Sequence, residues 1–138
     1  MKIIIDTNIL FSALYNLNSN AGDLFVLAAY NKIELYAPEF TKEELIRIVK
    51  DKLHYSDKEI SYSIAALPVT WIEQEIYSLN LERAKEYIDH IADIPVVACS
   101  LTLNFDIVSG DTHFHPLKKE GPKVWKLKEL LDNIRRKS

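Results

Sequence analysis

Four acidic residues stand at junctions between predicted secondary-structure elements, where a carboxylate contributes nothing to packing an apolar core. Asp6 follows the β-branched run at 3–5, Asp93 opens a helical pattern, Asp111 follows another strand-like run, and Glu44 lies in the first turn of a further predicted helix. Several carboxylates at one place are unfavourable, because like charges and burial both raise a carboxyl pKa. A bound divalent cation would offset this repulsion between the carboxylates. Oxygen ligands without a multi-cysteine or paired-histidine set favour Mg²⁺ or Mn²⁺ over Zn²⁺.

These acids also predict a reaction class. Magnesium keeps several waters and binds only one or two protein carboxylates directly, which leaves positions for a substrate phosphate and an attacking water. Phosphodiester hydrolysis fits such a site. Each acid also has a purely structural alternative as a helix cap or turn residue. These alternatives are a helix-start acceptor for Asp6, an N-cap for Asp93, a turn after Gly110 for Asp111, and a Thr41-x-x-Glu44 capping box for Glu44.

Strand-like runs alternate with helical spacing along the chain, and this alternation indicates the elements that would position the acids. We expect strands at residues 3–5, 33–38, 69–73, 105–108 and 124–127. Helices are expected from Asn8 as N-cap and over residues 23–30, 41–53, 56–67, 81–91, 93–103 and the C-terminal segment. Right-handed crossovers then give a single-domain α/β three-layer sandwich with a mainly parallel sheet of about five strands. The strand order does not follow from the pattern.

The acids at strand ends would meet at one edge of such a sheet. Carboxyl ends of parallel strands lie along one edge, so Asp6 and Asp111 are neighbours if their strands are adjacent. Helices that start at this edge would bring Glu44 and Asp93 to it. Four residues that acted only as helix caps or turn residues would have no reason to lie at the same edge of the sheet. Their expected position at one edge therefore favours a metal site.

Composition predicts an ordinary soluble globule. The chain has 138 residues, is 48% hydrophobic and 27% charged, and contains no linker or low-complexity tract, so we expect one domain over residues 1–138. No apolar run approaches the roughly 20 residues of a membrane span, and the first strand leaves no room for a signal peptide. Cys99 is the single cysteine and is expected in the core. A reducing cytoplasmic location follows as the expectation.

The C-terminal end is basic although the net charge is −3. It could lie along a phosphate backbone, or it could be a solvated last helix whose cations lie near the negative end of the helix dipole. The cations are Lys118, Lys119, Lys123, Lys126, Lys128, Arg135, Arg136 and Lys137.

The ordered set of motifs resembles the PIN-domain nucleases, in particular the small single-domain proteins that act as the toxin of a toxin–antitoxin pair. The motifs are IIIDTNIL at the start, PEFTKEEL after the second strand, DIPVVACSLTLN, and IVSGDTHF. The tripeptide DTN is common by itself, whereas the ordered set is fairly specific. The resemblance covers most of the chain and fails mainly between residues 54 and 85.

The resemblance implies roles for individual residues. The acidic quartet would be Asp6, Glu44, Asp93 and Asp111, with Asp6, Asp93 and Asp111 on the metal and with Asn8 and Ser109 supporting the site. Glu44 is preferred over Glu43 because the family's glutamate precedes a leucine. Many members have a second acid two positions after the Asp111 equivalent, where this chain has His113.

The implied activity is Mg²⁺- or Mn²⁺-dependent hydrolysis of single-stranded RNA, with RNA as substrate, an antitoxin protein as partner and a homodimer as an open alternative. A non-catalytic PIN-fold module that binds RNA or protein is the competing interpretation, since fold does not fix function. A glycine-rich nucleotide loop is excluded because the three glycines are isolated.

Overall fold

A computed structural model describes residues 1–110 and 116–137, and within them five strands form one parallel sheet in the order β3-β2-β1-β4-β5. The strands are β1 (Lys2–Ile5), β2 (Glu34–Pro38), β3 (Val69–Ile72), β4 (Asp106–Ser109) and β5 (Val124–Lys126). The predicted α/β sandwich with a mainly parallel sheet is confirmed. The central strand is β1, which pairs with β2 along Lys2, Ile3 and Ile4 and with β4 along Ile3, Ile4 and Ile5.

The side chains of β1 alternate between two apolar layers. Ile3 and Ile5 pack in one cluster and Ile4 in the other, and all three are fully buried. Burial on both faces is typical of a parallel sheet, and each isoleucine contributes about 2 kcal/mol by its removal from water. The apolar β-branched run therefore fixes the strand at the centre of the sheet, and with it the position of Asp6.

Helices cover both faces of the sheet. The first face carries α1 (Thr7–Tyr15), α2 (Asn20–Ala29), α3 (Glu39–Leu53), α4 (Asp57–Ala65) and α8 (Leu127–Arg136). The second face carries α5 (Gln74–Tyr77), α6 (Leu81–Ala84) and α7 (Ile94–Leu103). Cys99 is buried in the second layer, and burial raises the pKa of its thiol. The prediction that Cys99 is a core residue is confirmed. No helix in the described part of the chain is both long and apolar enough to cross a membrane.

Several predicted helix starts differ from the observed ones, in the first two helices because the capping side chain lies earlier in the chain. Asn8 was predicted as the cap of the first helix, but Asp6 is the N-cap and accepts a hydrogen bond from Ile9 N at 3.0 Å. The second helix starts at Asn20 rather than residue 23, since Ser19 accepts from Gly22 N. The third starts at Glu39 rather than Thr41.

The predicted helix over residues 81–91 is wrong. Helix α6 ends at Ala84, a short 3₁₀ turn follows only at Ile91–Asp93, and Ile91 is 77% exposed. Tyr87 and Ile88 are nevertheless buried. Their burial depends on the distant segment after residue 115, since the Lys118 backbone N donates to the Tyr87 carbonyl at 2.7 Å. In this segment the helical spacing of apolar residues therefore indicates buried residues but not a helix.

Thr41 offers a test of the packing beneath α3. Its hydroxyl is buried and has no hydrogen-bond partner among the described residues. Replacing Thr41 with Val should raise the free energy of unfolding by about 1 kcal/mol, because a buried unsatisfied polar group is removed with little change of shape. Urea denaturation measures this change.

Thr102 provides the matched control. Its hydroxyl donates to the Ala98 carbonyl and accepts from Asn80 Nδ2, both at 2.8 Å. Thr102→Val should therefore lower the free energy of unfolding by about 1 kcal/mol. An equal loss in both variants would contradict the assignment of an unsatisfied hydroxyl at Thr41.

Candidate metal centre

The chain geometry brings Asp6, Glu44 and Asp93 to the carboxyl edge of the sheet. Asp6 follows β1 directly, and α3, which carries Glu44 in its second turn, follows β2 directly. Helix α7 ends only two residues before β4 begins, so its first turn and Asp93 lie at the opposite end, beside the carboxyl edge. This is the edge where open α/β folds bind ligands.

Four of the six predicted site residues line one small cavity. The cavity has a volume of about 110 Å³, which is room for roughly four waters at their share of liquid volume. Larger depressions occur elsewhere, including one of about 480 Å³ beside Arg135 and Arg136, but without a comparable set of acids. The lining residues are Asp6, Thr7, Asn8, Glu44, Ile48, Ala92 and Asp93.

Asp6 is the most perturbed of these acids. The pKa of its carboxyl group is raised from 3.8 to about 6, and burial is the largest cause. The negative charge of Asp93 also raises this pKa, whereas hydrogen bonds from the backbone of Ile9, Gly110 and Asn8 lower it. Only 5% of Asp6 is exposed. Asp6 is thus a helix cap and also a buried carboxylate that repels a second one, and the first role does not explain the second.

The cap interpretation fails for Asp93. Although Asp93 occupies the N-cap position of α7, its side chain makes no capping hydrogen bond there. Its Oδ2 instead lies 3.3 Å from His90 Nδ1. Asp93 is 8% exposed and faces the same cavity as Asp6, and His90 was not anticipated from the sequence.

The capping box predicted for Glu44 is also wrong, because α3 starts five residues before it and has no side-chain cap. Glu44 instead accepts a short hydrogen bond from the Thr7 hydroxyl, and Arg47 Nη2 lies 4.0 Å from its second carboxylate oxygen. Glu43 is exposed and does not line the cavity. Thr7 was missed as a site residue, although it stands between the two selected residues of the DTN tripeptide.

Ser109 is the last residue of β4. Ser109 is buried but does not line the cavity. Asp111 and His113 lie outside the described residues, so their predicted roles stay predictions. The Gly110 backbone hydrogen-bonds to Asp6, and β4 is adjacent to β1. Asp111 is therefore covalently attached to a residue that already contacts the site.

The donor set fits a hard divalent cation with water in its shell. Among residues 1–110 and 116–137, no three His, Cys, Asp or Glu side chains are grouped so that they could hold a metal ion. Asp6 and Asp93 supply two carboxylates, which is as many as Mg²⁺ usually binds directly. A cation between them would also relieve the repulsion that raises the pKa of Asp6.

The basic C-terminal end is not one surface. Helix α8 begins at the carboxyl edge and ends at the amino edge, where Lys137 shares a depression with Met1 and Lys32. Lys118 and Lys119 are ion-paired with Asp89 and Glu86. The cations of this end therefore lie at both edges of the sheet, and its contact with a phosphate backbone stays a prediction.

Comparison with known proteins agrees with this fold. A solved structure described as VapBC2 from Rickettsia felis bound to a DNA fragment from their promoter matches with a TM-score of 0.60 and 16% identity, over 91% of this chain and 98% of that one. No curated protein matches the chain. The family model of the PIN domain matches residues 4–135. This match spans nearly the whole chain, and the chain therefore belongs to the PIN-domain family.

Proposed function

We propose that this protein is a Mg²⁺- or Mn²⁺-dependent endoribonuclease that hydrolyses phosphodiester bonds of single-stranded RNA. The observation that carries the proposal is the pair of buried carboxylates, Asp6 and Asp93, in one small cavity at the carboxyl edge. A structural role would gain nothing from their repulsion, whereas a cation site requires them close together. Membership of the PIN-domain family, whose members are generally metal-dependent nucleases, supports the same assignment.

Each residue of the site has a role in the proposed reaction. Asp6 and Asp93 would hold the cation, and Asp111 would add a third carboxylate to it. Bound there, the cation would supply positive charge to the phosphate and lower the pKa of the attacking water. Glu44, which accepts a hydrogen bond from the Thr7 hydroxyl, would orient that water. Asn8 and Ser109 support the site, and His90 holds the orientation of Asp93.

The proposed reaction predicts both its metal requirement and its product ends. The purified protein should cut a single-stranded RNA in Mg²⁺ or Mn²⁺, stop on addition of a chelator, and leave 5′-phosphate and 3′-hydroxyl ends. Gel analysis of end-labelled RNA measures all three. Cleavage that persists in chelator, or 2′,3′-cyclic phosphate ends, would contradict the proposal. An absence of cleavage with retained RNA binding would favour the non-catalytic binding module.

We also propose that the protein is the cytoplasmic toxin of a toxin–antitoxin pair. The structurally similar chain is described as part of a VapBC2 complex bound to promoter DNA, which supports a protein partner for this fold. Large apolar side chains are exposed on α1, on α2 and in the segments that follow each of them, namely Tyr15, Leu17, Val26 and Tyr30. These side chains are available to an antitoxin or to a second copy of the chain.

The reading frame beside this gene tests the partner. It should encode a small DNA-binding protein that abolishes RNA cleavage when it is added at equal concentration. If that neighbour leaves cleavage unchanged, the nuclease assignment stands and the toxin assignment does not.

A further inference from the structure

The end of β5 places a lysine in line with the acidic site. Ser109 of β4 pairs with Lys126 of β5, and Ile5 of β1 pairs with Val108 of β4. One residue further along, Asp6 is opposite Ser109. Asp6, Ser109 and Lys126 therefore form a row across three adjacent strands.

The three side chains of this row project from the same face of the sheet. Ile4 and Ile107 pack in the layer that contains α7, and Val124 packs against that layer. Because side chains alternate along a strand, the residues two positions later, which are Asp6, Ser109 and Lys126, face the same way. Asp93 begins α7 and so belongs to that side of the sheet. Lys126 is thus on the face of the sheet where the two buried acids meet.

The spacing suits contact with a bound polyanion and not with the acids themselves. Neighbouring strands lie about 4.8 Å apart, so the Cα atoms of Asp6 and Lys126 are about 10 Å apart. Lysine carries its ammonium on a flexible four-carbon stem, which can extend over Ser109 towards that centre. Lys126 is exposed, and none of the described residues forms a salt bridge with it.

Four other cations are less suited to this contact. Arg47 lies beside the cavity but its charge is offset by Glu44 at 4.0 Å. Lys118 is ion-paired with Asp89, and Lys123 lies over the ring of Trp125 at 3.8 Å. Lys137 is at the amino edge. An acidic centre that binds RNA still needs positive charge beside it, and the row provides Lys126.

We propose that Lys126 is a substrate-binding residue that contacts a phosphate of the RNA backbone beside the bond to be cut; this inference rests on the proposed nuclease function. The contact adds one ion pair to substrate binding and takes no part in the chemical step. Lys126 therefore sets KM and the salt dependence of binding, and not kcat.

Steady-state cleavage of a fluorescent single-stranded RNA by the full chain in Mn²⁺ tests this inference. Lys126→Ala should raise KM about fivefold with kcat unchanged, as expected for one exposed ion pair. It should also reduce the slope of log KM against log salt by about 0.7, which corresponds to one phosphate contact on a single strand. Lys126→Arg keeps the charge and should restore both quantities, and Lys137→Ala at the amino edge should change neither.

The outcomes separate this inference from the function on which it rests. If the parent protein cleaves but Lys126→Ala keeps its KM and salt slope, the inference is overturned and the nuclease assignment stands. If Lys126→Ala lowers kcat with KM unchanged, or if Lys137→Ala gives the same loss, the assigned contact is also overturned. If the parent does not cleave, or if Asp93→Asn cleaves as the parent does, both the function and the inference are refuted. Thermal unfolding should be the same for parent and Lys126→Ala.

Discussion

Replacement of Asp93 by Asn should reduce kcat/KM for RNA cleavage about a thousandfold, which corresponds to about 4 kcal/mol of transition-state stabilisation. The substitution keeps the size of the side chain and removes one of the two buried negative charges that would hold the cation. Asp93 makes no capping hydrogen bond to α7, so the helix loses no cap. The expected loss is therefore one of function, and thermal unfolding in chelator should show a folded protein.

Asp89→Asn is the matched control for Asp93→Asn. Asp89 lies four residues earlier, its side chain is 84% exposed, and it is paired with Lys118 on the surface. Such exposed pairs contribute about 1 kcal/mol or less to stability, so this variant should cleave as the parent does. Equal activity of Asp93→Asn and the parent would contradict the role of Asp93.

Replacement of Asp6 by Asn should stabilise the metal-free protein and lower its nuclease activity. Burial, reinforced by the charge of Asp93, raises the Asp6 pKa from 3.8 to about 6. The folded state therefore binds the proton more tightly than the unfolded chain, and the ionised carboxylate destabilises the metal-free protein above about pH 6. The linkage corresponds to about 3 kcal/mol. Asn can still accept the hydrogen bond from Ile9 N, so Asp6→Asn should be more stable than the parent at pH 8 in chelator.

The pH dependence gives the sign check for this prediction. As pH falls from about 6 to about 4, Asp6 becomes protonated in the folded state, and the parent regains the stability that it lacks at pH 8. The stability difference between Asp6→Asn and the parent should shrink over that window when measured by urea denaturation. Addition of Mn²⁺ at pH 8 should narrow the difference, because the parent binds the ion more tightly than Asp6→Asn does. A variant less stable than the parent at every pH would show that Asp6 acts chiefly as a helix cap.

Local sequence predicted the elements that carry Asp6 and Asp93 because strong local signals specify them. The β-branched run at residues 3–5 can be buried on both faces only in a central strand, and within a helix Pro95 is tolerated only in the first turn. The segment over residues 81–91 could not be predicted in the same way. Its buried residue Tyr87 accepts a backbone hydrogen bond from Lys118, about thirty residues away, and no local pattern encodes that contact.

The acids of the site could be selected from sequence, but their partners could not. Asp6 and Asp93 each stand at a junction where a carboxylate needs an explanation, whereas Glu44, selected as a first-turn residue, lies in the second turn of α3. The contacts of Thr7 with Glu44 and of His90 with Asp93 become visible only when distant elements are brought together. The position of Lys126 relative to the acids could not be predicted without the strand order, because the row from Asp6 through Ser109 to Lys126 exists only if β4 lies between β1 and β5.

Isothermal titration of Mn²⁺ into the metal-free protein tests most directly whether Asp6 and Asp93 share a cation. The parent should bind Mn²⁺, Asp6→Asn and Asp93→Asn should each lose at least about tenfold in affinity, and Asp89→Asn should bind as the parent does. In the parent, Mn²⁺ at a hundred times its Kd should also add about 2.7 kcal/mol to the free energy of unfolding. Unchanged Mn²⁺ affinity in both Asp6→Asn and Asp93→Asn, or no binding by the parent, would contradict a metal centre at the carboxyl edge of the sheet.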